Sequence, residues 1–478
     1  MTLYFDYRQI DDILNPRSLA IVGASGKPLK FGALFTASQL AFGFKGPVYL
    51  VNPGEKEILG HPVHPSLEDL PEPPDLVYIT IPAHRSIEVL HQCARLRVKG
   101  VVIQAAGFRE IGKRGLALEK EALRLAREGG FRIIGPNCFG IYNPRRGLTL
   151  LSGQDFSRRE GDIAFISQSG GFSLHVGKLA MGQGLHFNAI VSYGNAADLN
   201  ETHFLRYFSR HPRTRVIGGY LEGVKGGRDF LAAVEEASRR KDLVLWKVGK
   251  GAFSRQAVLT HTGSMTGSTE IWEGIVRRYG VIEVSCVEEM CDTFLGLRHL
   301  GRSPGKRVLL AGGGGGLGTH ACDLAEAEGL EVPPLQGESL DALEKLLDRD
   351  GAVASNPLDI GAPLIPLDRF REVMREASRN SSTDVTVFDL AVNFAYPLVG
   401  EEGLEKAVDI LVQARKESGK PLAAVLYSRA VGEGELHYEK LLRHLRTRLL
   451  EGGVAVFPSM HRALATLRRV NIPRFRPL

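Results

Sequence analysis

Cysteine is scarce. The 478 residues contain five (Cys93, Cys138, Cys286, Cys291 and Cys322), none in CxxC or metal-ligand spacing. So odd and scattered a set excludes a disulfide scaffold and predicts no metal site; it fits small buried thiols kept reduced in a cytoplasmic protein. No apolar run reaches the roughly 20 residues that cross a bilayer, so no membrane span is expected. The first residues, MTLYFDYRQIDDIL, carry acids and lack the cationic start and long apolar stretch of a secretory signal. Neither sign of charge dominates: 60 Lys and Arg against 54 Asp and Glu leave +6. Without a dense Lys/Arg stripe no nucleic-acid groove is expected, although a small basic excess suits an anionic ligand. There is also no G-x-x-x-x-G-K-[S/T], hence no Walker-type ATP site. If ATP or ADP takes part, another fold or another chain must supply it.

What is present is an alternation of short apolar strands with longer helical stretches. A composition of 44% hydrophobic and 24% charged residues is ordinary for globular domains, and the length predicts two to four of them. Strand-like segments centre on Val22, Val48–Val51, Leu76–Ile81, Gly100–Gln104 and Arg132–Ile134, with helical patterns at Ala83–Leu96 and Gly115–Glu128. This is the βαβ signature of an α/β protein built on doubly wound parallel sheets. The polar, weakly periodic stretch Leu148–Glu160 and the linker Gly301–Lys306 predict three domains, 1–150, 151–301 and 302–478. Gly170-GFSLHVGKLAMGQGL and Gly315-GLGTHACDLAEAEGL, both 16 residues, agree at seven positions, including the Gly pair and His175/His320. Each follows an apolar strand (Ile163–Ile166, Val308–Leu310) and enters a helix. Domains two and three therefore read as copies of one flavodoxin-like unit, in which the matched histidines suit packing better than catalysis.

Three strands lead into Gly-rich turns: Gly23-Ala-Ser-Gly-Lys27, Ser167-Gln-Ser-Gly-Gly171 and Gly312–Gly316. Such turns present backbone N–H groups at a helix N-terminus, where an anion is favoured, and glycine lets a phosphate approach closely. The first turn is G-x-x-G, and the second strand ends in Asn52-Pro53-Gly54 where an NAD enzyme carries an acid for the ribose, so NAD is not expected there. Ser169 resembles a relaxed nucleophile elbow and precedes Asp229 and His261 in hydrolase-like order. An anion-binding helix start explains the same residues without a catalytic serine.

Thr260-HTGSMTGS, ending at Ser268, combines two glycines and five hydroxyl residues with His261. It predicts an adaptable exposed loop that leads into a helix over Glu270–Tyr279, with Ser268 as its N-cap. Glu222 follows the strand Val216–Leu221 at its carboxyl end, where α/β sheets place ligands. A carboxylate there can accept an imidazole N–H and make the other ring nitrogen a better nucleophile, one able to take a phosphoryl group.

The stretches Val22-GASGK, Val51-NPGEKEILGHPVHPSLEDLP, Gly135-PNCFGIYNP, Ile166-SQSGG, Tyr220-LEGV, Thr260-HTGSMTGS and Ser355-NPLDIG together resemble the α subunit of NDP-forming acyl-CoA synthetases, within the succinyl-CoA synthetase superfamily. The likeness spans nearly the whole chain. It implies an N-terminal Rossmann-like CoA-binding domain followed by two flavodoxin-like ligase domains. It also implies a phosphorylated His261 supported by Glu222, 39 residues earlier (261 − 222). Coenzyme A would lie over Gly23, Ser25, Gly26 and Lys27, with Asn52, Pro53, Gln104, Ala105, Ala106 and Asn137 lining the rest. Ser169, Gly170 and Gly171 would hold phosphate or the phosphohistidine. Where relatives of the succinate branch have Lys after Pro-Gly, this chain has Glu55, with Lys56 next to it. The reaction so implied takes acyl-CoA, phosphate and ADP to the free acid, CoA and ATP. The implied partner is an ATP-grasp β subunit carrying ADP/ATP and Mg, in a hetero-oligomer that allows α–α contacts as well. Two other readings stand beside this one: a non-catalytic CoA- or acyl-CoA-binding module, and the serine hydrolase.

Overall fold

A computed structural model describes residues 5–262, 267–347, 352–361, 366–427 and 436–475, the side chains of 259–262 excepted. The chain forms two compact units, Met1–Met290 with Arg474–Leu478, and Cys291–Pro473.

The first unit begins with strands β1 (Leu19–Val22), β2 (Val48–Val51), β3 (Glu57–Ile58), β4 (His61–His64), β5 (Leu76–Ile79), β6 (Gly100–Ile103) and β7 (Arg132–Ile134). They lie in the order β3-β4-β2-β1-β5-β6-β7. All pairings are parallel except the β3–β4 hairpin. With β3 set aside the order is 3-2-1-4-5-6, the Rossmann arrangement, and strand direction of travel reverses between β1 and β5. Side chains alternate across the sheet as strand geometry requires. Leu19, Ile21 and Tyr78 join Ile10, Ile13 and Phe35 on one face. Ala20, Val22, Val77 and Ile79 pack on the other against Leu90, Cys93, Ala122 and Leu125 from the helices Ala83–Leu96 and Lys113–Gly129.

The same unit holds a second sheet of β8 (Gly140–Tyr142), β9 (Ile163–Ser167), β10 (Phe187–Ser192), β11 (Val216–Leu221), β12 (Asp242–Lys247) and β13 (Ile282–Glu283), in the order β13-β12-β11-β9-β10-β8. Strands β9 to β13 are parallel and read 2-1-3-4-5 from β10, the flavodoxin order. The short β8 pairs antiparallel at the edge, so residues ahead of the expected break at 150 complete this sheet.

The second unit carries β14 (Val308–Gly312), β15 (Leu358–Asp359), β16 (Val385–Asp389), β17 (Leu422–Val425) and β18 (Ala455–Phe457), all parallel in the order β15-β14-β16-β17-β18. This is 2-1-3-4-5 again, so the sequence echo is a structural repeat. Strand β9 enters the helix Gly170–Gly182 as β14 enters Gly315–Ala327. His175 and His320 are both exposed, which corrects the expected packing role. Cys93, Cys138 and Cys291 are buried, whereas Cys286 and Cys322 are half-buried. Burial pushes the Cys138 thiol up to about 12, and that of Cys93 higher still, so both stay protonated. No helix among the described residues is long and apolar enough to cross a membrane.

Candidate functional site

The first Gly turn lies at the switch point between β1 and β5. Gly23 has φ +87°, and a Cβ there would sit 2.7 Å from Thr80 Oγ1. A Cβ at Gly32, in the first turn of the helix Phe31–Phe42, would drive into the Gly23 carbonyl, so these two glycines let helix and strand end meet. Gly26 differs: its Cβ would meet only Ile58 Cγ2, at 3.8 Å, so the position borders open space. Ser25 Oγ accepts the Lys27 N–H at 3.1 Å, and Asn52 Nδ2 donates to the Ala24 carbonyl at 2.8 Å. The Asn52 at the end of β2 thus braces the turn. Glu55 follows in the next turn, its N–H donating to the Asn52 carbonyl at 3.4 Å. The helix Phe31–Phe42 has no side-chain cap on its N-terminus.

Gln104 sits at the end of β6, with both side-chain amide atoms buried and unpartnered among the described residues. Buried polar groups are rarely left so. This orphaned amide, the open space at Gly26 and the uncapped helix fit a ligand with amide and phosphate groups, as coenzyme A has. Ala105 and Ala106 follow Gln104, and the Ala105 carbonyl accepts the Asn137 N–H at 3.0 Å.

The second turn lies at the corresponding switch point, between β9 and β11. Ser169 is the N-cap of the helix Gly170–Gly182, its Oγ accepting the Phe172 N–H at 3.3 Å. Its hydroxyl therefore serves the helix start, which answers the elbow resemblance. A Cβ at Gly171 would meet only Ser169 Oγ, at 3.9 Å, leaving the amides of the first turn approachable. Beside it Glu222 is buried, with 3% exposure. Gln168 Oε1 accepts the Glu222 N–H and, at 3.0 Å, the Gly223 N–H. Lys247 Nζ donates to the Glu222 carbonyl at 2.9 Å, and burial, aided by Lys250, lowers its pKa to about 8. Burial, then the Glu222 carboxylate that accepts its hydrogen bond, raises the Tyr220 hydroxyl. Neither Gln168 nor Lys247 is legible in the sequence as a site residue: a Gln and a Lys at strand ends carry no spacing signal.

Residues 135–139 connect the segment after β6 with the second turn. Asn137, with φ +59°, is tied to Ala105 and places Nδ2 3.4 Å from Asn195 Oδ1. Asn195 donates to Glu110 Oε2 at 2.5 Å, while Glu110 Oε1 accepts the Gly107 N–H at 2.6 Å. Lys225 Nζ donates to the Asn195 carbonyl at 2.9 Å, three residues after Glu222. Two residues beyond Asn137, the Phe139 ring lies where a Cβ of Gly170 would come within 2.6 Å of it. Contacts thus run from Ala105 through Asn137 to Asn195 and Lys225, and Phe139 lies against Gly170.

His261 lies in the last turn of the helix Ala252–Thr262. That corrects the expected loop: apolar spacing is weak there, yet the backbone stays helical through 262. Its side chain, and residues 263–266 of the same motif, lie outside the described residues. Ser268 is the N-cap of the following helix, Thr269–Tyr279, accepting the Ile271 N–H at 3.2 Å.

A CoA-binding domain followed by a ligase-type flavodoxin domain is the class this arrangement defines, and family models agree. The model described as a CoA binding domain matches residues 17–144, and that of a succinyl-CoA ligase like flavodoxin domain matches 160–296. The α subunit of acetate–CoA ligase (ADP-forming) I from Pyrococcus furiosus is 30% identical over 467 residues, 96% of each chain. Acetate–CoA ligase (ADP-forming) I from Archaeoglobus fulgidus is 35% identical over 381 residues; the match takes in 79% of this chain but only 54% of that relative's length. The solved acetyl-coenzyme A synthetase 1 of Ca. Korarchaeum cryptofilum, described as dinucleotide forming and in complex with phosphate and ADP, superposes with a TM-score of 0.81 at 28% identity, over 96% of each chain. The chain belongs to the α-subunit family of the ADP-forming acyl-CoA ligases, which are acid–thiol ligases.

Proposed function

We propose that this chain is the CoA- and phosphate-handling subunit of an ADP-forming acyl-CoA ligase. The observation that carries the reading is a pair of Gly turns at switch points, one in the sheet whose strand end also presents an orphaned Gln104 amide and the other beside a buried Glu222. Coenzyme A would rest its phosphates over Ser25, Gly26 and Lys27, with Asn52, Pro53, Gln104, Ala105, Ala106 and Asn137 along its length. Its thioester end would reach past Asn137 toward Ser169, Gly170 and Gly171, where phosphate is held by the helix amides.

A phosphate oxygen attacks the thioester carbonyl, the C–S bond breaks, and CoA leaves as its thiolate while an acyl phosphate forms. An imidazole nitrogen of His261 then attacks phosphorus; the P–O bond to the acyl group breaks and the carboxylate departs. Glu222 would accept the other imidazole N–H and so raise the nucleophilicity of the attacking nitrogen. The phosphoryl group passes finally to ADP. Preorganised amides at the Gly170 helix start favour the charge that accumulates on phosphorus-bound oxygens.

The ADP step belongs, on this proposal, to an ATP-grasp partner subunit with Mg. The sequence has no Walker motif, and the three sheets of the described residues are of Rossmann and flavodoxin order. The test is to assay the purified chain with acyl-CoA, phosphate and ADP, alone and then with an ATP-grasp β subunit. ATP formed only on mixing supports the division of labour; sustained ATP synthesis by the isolated chain overturns it.

A further inference from the structure

Acyl transfer needs the thioester of CoA and the bound phosphate held at a fixed distance, although their turns stand on different sheets. The segment Ser192–Ala197, at the end of β10, lies between residues of the CoA-binding domain and the loop that carries Glu222. Given the ligase reading, on which this rests, we propose that Asn195 is a positioning residue for acyl transfer. It holds the CoA-side strand end in register with the Glu222 loop.

The segment turns to both sides. Toward the phosphate side, the Tyr193 N–H donates to the Ser167 carbonyl at 2.9 Å, where the second turn begins. Toward the CoA domain, Ser192 Oγ accepts the Phe139 N–H at 3.0 Å, and the Ala197 N–H donates to the Gly135 carbonyl at 2.9 Å. Gly194 lies between them with φ +50°, and a Cβ there would come within 2.2 Å of the Pro136 and Asn137 carbonyl oxygens. Backbone therefore meets backbone at this seam.

Asn195 is fully buried, and each of its polar groups is bonded. Its N–H donates to the Pro136 carbonyl at 2.9 Å and its Nδ2 to Glu110 Oε2 at 2.5 Å, while Oδ1 lies 3.4 Å from Asn137 Nδ2. Those three partners belong to the CoA-binding domain. Its carbonyl accepts Lys225 Nζ at 2.9 Å, three residues beyond Glu222, and the same Nζ donates to the Ala196 carbonyl. An asparagine that merely shapes its own loop bonds to backbone two to four residues away; these bonds all leave the segment. Glu110 completes the tie. Its Oε1 accepts the N–H groups of Gly107 (2.6 Å) and Phe108 (3.2 Å), directly after the Gln104–Ala106 strand end. The helix Ala252–Thr262, which carries His261, lies against the 3-10 turn Arg109–Ile111 that contains Glu110. A satisfied buried network of this kind rigidifies what it joins.

His261 can be phosphorylated from two directions, and only one of them uses CoA. From acyl-CoA and labelled phosphate the thioester must be cleaved first. From γ-labelled ATP on the partner subunit the phosphoryl group passes to the imidazole and ADP leaves. In the assembled enzyme we expect Asn195→Ala to slow labelling from acyl-CoA on the order of a hundredfold, the cost of about 1 Å of misplacement. Labelling from ATP and the calorimetric affinity for CoA should match the parent. Glu110→Gln keeps an acceptor for the Gly107 N–H but turns a donor toward Asn195, so it should show the same split, and it decides the matter if the alanine variant does not fold. Labelling slowed equally from both directions makes Asn195 a structural residue only and overturns the proposal. Unchanged labelling from acyl-CoA, or a loss that saturating acyl-CoA restores, does the same. A parent enzyme labelled from neither direction fails the ligase reading and takes this inference with it, whereas a parent labelled from both leaves the variants to judge the positioning role alone.

Discussion

Gly26 and Gly32 stand six residues apart beside the same turn, and the structure assigns them opposite sensitivities. A valine at Gly26 adds its Cβ 3.8 Å from Ile58 Cγ2, an ordinary van der Waals distance, so folding should be nearly unaffected. The added methyls enter the space from which a phosphate would reach the turn's N–H groups. A hydrogen bond to a charged group contributes about 1.5–3 kcal/mol, so each one lost weakens CoA binding by about tenfold to about 150-fold. An alanine at Gly32 does the reverse. Its Cβ drives into the Gly23 carbonyl and to 2.9 Å from Thr80 Oγ1, an overpacking that costs about 1–3 kcal/mol of stability. Calorimetric CoA titration and urea unfolding on both variants separate the effects. The reasoning is refuted if Gly26→Val binds CoA as the parent does, or loses affinity only in step with a loss of stability.

Glu222→Gln keeps the side chain's shape but removes the charge that supports an imidazolium. Phosphohistidine yield and ATP formation should fall on the order of a hundredfold, as for other supporting partners, with CoA affinity unchanged; a normal phosphohistidine yield contradicts the pairing. Gln168→Ala strips the shared acceptor from two buried N–H groups, which should cost about 2–6 kcal/mol at about 1–3 per unmade bond; a urea midpoint equal to the parent's would show that those amides find other partners. Glu201 is fully buried, and burial, opposed by the Lys225 N–H, raises its carboxyl from 4.5 to about 7. Between those values the folded state holds a proton the unfolded state has lost, so stability falls as pH rises from about 4.5 to 7, on the order of 3 kcal/mol in all. Glu201→Gln should flatten that slope in urea titrations at pH 5 and 7.5, and parallel slopes for the two proteins would refute the assignment.

Much of the fold is legible in the residues because burial on both faces makes parallel strands continuous apolar runs. Leu76–Ile79 and Val216–Leu221 are fully buried and stand where apolar content places them. The helix Ala83–Leu96 coincides with its pattern, Arg97 in the left-handed region marking its end. What escapes is short, polar or edge-bound. The hairpin strands Glu57–Ile58 and His61–His64 have charged residues and a proline, and Gly140–Tyr142 is three residues long with its partner β10 more than forty positions away. The His261 segment reads as a loop because its Gly, Ser and Thr content disfavours helix, yet the turn before those residues remains helical. At the site, the turns and Glu222 announce themselves through glycine clustering and strand-end position. Gln168, Asn195 and Lys225 act through contacts between strand ends and loops that lie far apart in sequence, and no local spacing encodes such contacts.

The central claim is that phosphate taken from an acyl phosphate comes to rest on one histidine of this chain. It is tested most directly by incubating the chain and an ATP-grasp β subunit with acyl-CoA and labelled phosphate, leaving ADP out, and mapping the label. The account predicts acid-labile label on a peptide containing His261, lost on adding ADP and absent in His261→Ala, which still binds CoA normally. Label on another residue, or the same label and the same ATP yield in His261→Ala, would contradict it.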